Sequence, residues 1–163
     1  MDRQAGFTWI ELLLVIAVIA ILAAMALPGM RETALRKQVK EALEVAEVAK
    51  KAVSAAWAAG GEMPKDNKAA GLPGSDVIVG NVVRAVEVDD GAVTVTFGNN
   101  ASQALHGKRV TVRPAVVPGQ PLVPAAWLCH AIAVPKGMEP QGRDRTDVPP
   151  EYLPLECRGP GGK

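Results

Sequence analysis

Gly6-Phe7-Thr8-Trp9-Ile10-Glu11-Leu12-Leu13-Leu14-Val15-Ile16 sets one carboxylate inside an apolar run that continues to Leu27. From Phe7 to Leu27 is 21 residues, which as a helix rising about 1.5 Å per residue spans about 31 Å, close to the hydrocarbon thickness of a bilayer. A Glu at the middle of such a helix costs roughly 2.5 to 3.5 kcal/mol, against roughly 0.3 to 0.6 gained per Leu, Ile, Val or Phe, so the aliphatics offset it. An ionisable residue at membrane depth nonetheless asks for a partner, which marks Glu11 as a functional residue.

A short charged leader ending in Gly6, then Phe7-Thr8-x-x-Glu11, then an aliphatic helix containing Pro28, resembles a type IV prepilin. The resemblance implies that prepilin peptidase cuts between Gly6 and Phe7 and N-methylates Phe7. It also implies that the Glu11 carboxylate meets the Phe7 ammonium of a neighbouring subunit as a filament grows. At low local dielectric such an attraction is several-fold stronger than in water, and an unpaired charge is heavily penalised. Trp9 stands where the family more often has Leu, and an indole is at home near a membrane interface.

Two plainer readings compete over the same residues. A secretory signal peptide would be cut at Ala24-Met25-Ala26, and a signal anchor would merely tolerate Glu11. The leader carries only Arg3 as a cation, offset by Asp2, and neither alternative explains why Glu11 follows Phe7-Thr8 so closely. Arg31, Arg36, Lys37 and Lys40 follow the apolar run and favour the opposite orientation by charge bias. Long C-terminal domains translocate largely regardless of that bias, so the resemblance decides.

About 135 residues follow the apolar run, enough for one compact domain. The formal net charge of +1 excludes the overall basic field of a dedicated nucleic-acid binder. Cys129 and Cys157 form neither a zinc set nor a redox Cys-x-x-Cys. A disulfide in an oxidising compartment is the economical reading, worth roughly 3 to 4 kcal/mol on the chain-entropy model, and two buried free thiols are the alternative. His106 and His130 are the only histidines, no Gly-rich phosphate loop follows a strand, and no catalytic, metal-ligating or cofactor-binding set emerges. Six aromatics, scattered from Phe7 to Tyr152, do not make a stacking platform for nucleic acid. Asn100-Ala101-Ser102 fits a glycosylation triplet but reads as an ordinary surface Asn.

Leu35, Val39, Ala42, Ala46, Ala49, Val53 and Trp57 recur at spacings of three and four, the face of an amphipathic helix that needs a partner surface. Lys40 with Glu44, and Glu47 with Lys51, are spaced for helical ion pairs on a solvated face. Gly60-Gly61 and Pro64 stop the helix near Ala59, and Pro28-Gly29 predicts a kink or break near Ala24. Val82–Val88 and Ala92–Phe97, joined by Asp89-Asp90-Gly91, predict a hairpin. Arg109–Val116 and Leu122–Val134 predict two further strands. Residues 60–77 read as an exposed connection, and Pro135 to Lys163 as a loop held by the disulfide.

The expected fold is α+β, a long N-terminal helix with a hydrophobic first half, packed on a roughly four-stranded antiparallel sheet with a C-terminal disulfide-bounded loop. The expected organisation is a leader (1–6), a hydrophobic transmembrane and assembly helix (7–29), an amphipathic half-helix (30–59) and a globular head (60–163). The resemblance implies a structural subunit of a type IVa pilus, with no enzymatic activity and no cofactor. Its implied partners are other copies of itself in a helical homopolymer, prepilin peptidase, the pilus assembly platform, minor pilins and, before assembly, the bacterial inner membrane. The resulting surface filament would serve motility, adhesion or DNA uptake. A minor or competence pilin and a type II secretion pseudopilin share the same N-terminal grammar.

Overall fold

The computed structural model describes residues 7–159, and within its helix the backbone alone of residues 26–30. The chain divides into two compact units, Met1–Ala34 and Leu35–Lys163. One helix, α1 (Trp9–Gly60), contributes to both, and is followed by β1 (Val83–Asp89), β2 (Ala92–Phe97), β3 (Arg109–Val116), β4 (Ala126–Cys129) and β5 (Glu139–Pro140). Two 3-10 turns close the chain, at Pro150–Tyr152 and Leu155–Cys157.

In the first unit α1 is continuous through Pro28 and Gly29, so the helix is not broken there. Among the described residues no helix is long and apolar enough to cross a membrane. The described side chains of the apolar run end at Met25, two residues short of Leu27.

The second unit is built on the predicted stripe. Leu35, Val39, Ala42, Ala46, Ala49, Val53 and Trp57 are all buried. Most of them share one core with Val83, Val86 and Val88 of β1, Val93, Val95 and Phe97 of β2, and Val110 and Val112 of β3. The Ala positions leave room for the valine side chains of the sheet. A Gly61 backbone in the left-handed region (φ 68°) ends the helix, its amide bonded to the Trp57 carbonyl, as a helix C-terminus requires.

The sheet order is β1-β2-β3-β4, antiparallel throughout, with β5 also on β3. Asp90 and Gly91 both have positive φ, as a two-residue hairpin turn demands, which pairs Asp89 with Ala92. A register irregularity between Val83 and Ala85 lets Val83 and Val86, three residues apart, both face the core. It accounts for the imperfect alternation of that segment.

Two expectations are corrected. The strand read over Leu122–Val134 is confined to Ala126–Cys129: Pro124 lies before it, and His130 turns the chain away with φ 47°. Its expected first residue, Leu122, is exposed. The connection after α1 is not wholly superficial either. Asn67, only 9 % exposed, donates through Nδ2 to the carbonyls of Pro73 and Val86 and accepts the Val88 amide at 2.7 Å. The Ser75 carbonyl accepts the Val86 amide. These bonds use the outer backbone groups of β1 and so cover an edge strand that would otherwise be open to pairing. Asn67→Ala would leave two buried backbone groups of β1 without partners, so a loss of about 3 kcal/mol is expected. Chemical denaturation of the purified chain checks it, and a loss under about 1 kcal/mol would show that water replaces the amide.

Candidate functional site

The first turn of α1 explains its own sequence. The Thr8 amide and hydroxyl both donate to Glu11 Oε2, at 3.3 and 3.1 Å, and the Glu11 amide donates to Thr8 Oγ1 at 3.4 Å. With the helix starting at Trp9, Thr8 is the N-cap and Glu11 the third helical residue, a capping box. The sequence reading assigned Glu11 to assembly and overlooked Thr8, although Thr-x-x-Glu ahead of an apolar run is itself a helix-start signal. Glu11 therefore satisfies free amide and hydroxyl donors at the helix start, where the helix dipole also favours a negative charge. Only Oε2 takes part, and Oε1 has no hydrogen bond among the described residues.

Around that carboxylate, Phe7, Trp9, Ile10, Leu12, Leu13, Leu14, Val15, Ile16, Val18, Ile19, Ile21, Leu22 and Met25 are all exposed, Phe7 at 79 %. They occupy the whole circumference of α1, leaving no side suited to water. So large a contiguous apolar surface marks contact with lipid or protein. Gly6, on the N-terminal side of the expected cleavage, lies outside the described residues. Pro28 and Gly29 are in α1, and neither is brought near Phe7 or Glu11 by any described contact.

Cys129 and Cys157 are joined in a disulfide. It closes a segment that the sequence reading took for a loop and that is ordered by the sheet. At Glu139–Pro140 the segment pairs with β3 as β5. At Gly142 it passes so near the β1–β2 turn that a Cβ would lie 2.5 Å from that of Ala92. Arg145 pairs with Glu87 and Asp89, and its amide donates to Thr111 Oγ1. The Thr111 amide donates to Thr146 Oγ1, and the Asp147 amide to the Arg109 carbonyl. The segment thus buries a Thr94–Thr111 hydroxyl pair lying 3.0 Å apart, then brings Val148, Leu153 and Cys157 into the core.

His130 Nδ1 lies 3.0 Å from Asp144 Oδ2. Burial raises the Asp144 carboxyl, but hydrogen bonds from Thr146 and His130 outweigh it and hold its pKa below the usual aspartate value. Its contribution to holding the segment is therefore present above that usual value and lost as pH falls through the lowered one. Among the described residues no group of three or more His, Cys, Asp or Glu could hold a metal ion.

Comparison with known proteins bears on the same features. A family profile described as pilin, a bacterial filament protein, matches residues 36–158, and one described as the prokaryotic N-terminal methylation motif matches residues 1–27. The chain is 36% identical over 162 residues to a type IV major pilin protein PilE1 of Neisseria gonorrhoeae, covering 95% of this chain and 87% of that one. It is 43% identical over 110 residues to a PilE of the same organism, covering 67% and 66%. It is 32% identical over 175 residues to the type IV major fimbrial protein FimA of Dichelobacter nodosus, covering 95% and 97%. With a methylation motif over the exposed apolar helix and a pilin match over the disulfide-closed head, the chain belongs to the pilin family and is a structural subunit, not an enzyme.

Proposed function

We propose that the chain is the major subunit of a type IVa pilus. The observation that carries this reading is the helix start, where a carboxylate with one oxygen unbonded among the described residues lies in a run of apolar side chains exposed all round α1. Such a helix is unstable in water as a monomer, and both a bilayer and a bundle of identical helices would cover it. The leader, residues 1–6, is removed by prepilin peptidase after Gly6, and Phe7 is N-methylated. Residues 7–29 hold the subunit in the inner membrane, since the apolar run continues in sequence to Leu27. On polymerisation they leave lipid for contact with other copies, and Glu11 Oε1 receives the Phe7 ammonium of a neighbour. Pro28, which cannot donate to the helix, and Gly29 allow the backbone there to bend or open during packing. The assembly platform and minor pilins act on the subunit, and the product is a surface filament. The major role is supported by the relatives, which are named as major pilins.

The test is N-terminal sequencing and mass spectrometry of sheared filaments. The expected mature chain begins Phe-Thr-Trp-Ile-Glu with a methylated amine, and is the bulk protein of the preparation. Gly6→Val should block processing, because a side chain replaces the smallest residue at the scissile bond. Filaments whose subunits start at Met1 or Leu27 would refute the reading, and a trace abundance would assign a minor pilin instead.

A further inference from the structure

Among the described residues only Trp57 Nε1 and Arg113 Nε are buried without a hydrogen-bond partner. An indole N–H is neutral, whereas a guanidinium always carries its charge, so the second omission is the costlier. On β3, Val110 and Val112 enter the core, and Thr111 and Arg113 alternate with them onto the outer face. The pairing of Val93 with Val112 sets Ala92 beside Arg113 on one side, and Leu128 of β4 pairs with it on the other. The C-terminal segment crosses the outer face at this level. The Gln141 amide donates to the Pro114 carbonyl, Gly142 rests on Ala92, and Thr146 Oγ1 accepts the Thr111 amide. Beneath that crossing Arg113 Nε is cut off from water, while its two Nη atoms have no partner among the described residues and stay accessible. No described carboxylate answers the charge. Asp144 is held through Oδ1 by the Thr146 amide and through Oδ2 by His130. Asp147 serves Arg109, and Glu87 and Asp89 serve Arg145. Glu139 is exposed and forms no ion pair with Arg113.

We propose that Arg113 anchors a binding site for an oxyanion, a phosphate or carboxylate group borne by a small ligand, on the outer face of the sheet. The two Nη atoms at the open end of a planar guanidinium fit two oxygens of such a group side by side. With Nε shut off from water, the shared charge is solvated only at that end. An anion arriving there meets a stronger attraction than at a fully hydrated arginine. The enclosed side chain also has less rotamer freedom to lose on binding. Arg143, on the crossing itself, is exposed and has no ion pair among the described residues. It adds a second positive charge along the crossing, which draws anions toward this face at longer range. The site lies in the second unit and does not draw on the filament reading, since it binds whether or not the chain polymerises.

Heteronuclear NMR of the detergent-solubilised chain tests the site, following the Arg113 Nε–H and Gly142 amide signals. Sodium phosphate and sodium acetate are titrated separately, each against sodium chloride at matched ionic strength. A saturable shift of both signals is expected with phosphate, acetate or both, and none with chloride. Saturation by phosphate alone assigns a phosphate ligand, and by acetate alone a carboxylate ligand. Arg113→Gln should abolish saturation at Gly142. Arg113→Lys, which keeps the charge but loses the fork, should weaken binding about tenfold. Arg143→Gln should weaken it about threefold, since it removes only the longer-range charge. A parent chain that responds to phosphate and acetate no differently than to chloride overturns the proposal, as does an Arg113→Gln chain that still saturates. If Arg113→Gln fails to form the Cys129–Cys157 bond, Arg113→Lys decides, and binding as tight as the parent's overturns the proposal.

Discussion

Glu11→Gln is expected to abolish filament assembly while leaving the membrane-held subunit at normal or higher level. The substitution separates the capping seen at the helix start from the ion pairing proposed for the filament. Gln still accepts from Thr8 and completes the capping box, so the helix start survives. Its lost charge removes a cost of up to about 3 kcal/mol in the bilayer, which favours the monomer. In the filament the incoming Phe7 ammonium would be buried without its counter-charge, a loss of roughly 3 to 5 kcal/mol. Glu11→Val should fail in the same way with a further loss of about 1 kcal/mol from the missing cap. Both pools are measured in the same cells, as extracted subunit and as sheared filament. Normal filament yield from Glu11→Gln but not from Glu11→Val would mean that capping is the requirement and that no ion pair forms.

The second large effect is expected from Cys129→Ala with Cys157→Ala. Opening a loop of this length removes roughly 3 to 4 kcal/mol on the chain-entropy model, and Tm should fall by about 10 to 15 °C for a unit of this size. The loss should fall unevenly. Freed at one end, the segment from His130 onward keeps Arg145 on Glu87 and Asp89 but holds Val148 and Leu153 less firmly in the core. The Thr111 amide, held by Thr146 next to Arg145, should stay the better protected part of the segment's contacts. Thermal unfolding of the detergent-solubilised chain, with hydrogen exchange at Thr111, checks both parts. A Tm change under about 3 °C would show that the sheet contacts alone hold the segment.

The elements most legible in the sequence are those whose signal is local. The seven-position stripe of α1 was readable because a helix repeats every 3.6 residues whatever it packs against. The Asp90-Gly91 turn was readable because positive φ has few tolerant residue types. The Leu122–Val134 strand was misjudged because apolar content alone does not end a strand, whereas Pro124 and the turn at His130 do. Thr8 was missed for a different reason. Thr8-x-x-Glu11 marks a helix start, but the same carboxylate also reads as a charge at membrane depth, so one residue carries two signals and the sequence does not rank them.

By itself, the sequence determined the family grammar of the first 30 residues, the existence and extent of the helix, three of the strands and the pairing of two cysteines. Each of these rests on neighbours along the chain or, for the cysteines, on having no other partner. Tertiary structure alone decided that Asn67 seals the outer edge of β1 and that Arg145 ties the C-terminal segment to Glu87 and Asp89. Asn67 is 21 residues from Val88 and Arg145 is 58 from Glu87. Contacts at such separations leave no periodic trace, because their geometry exists only once the sheet has formed and set its edge and outer face in reach of those side chains.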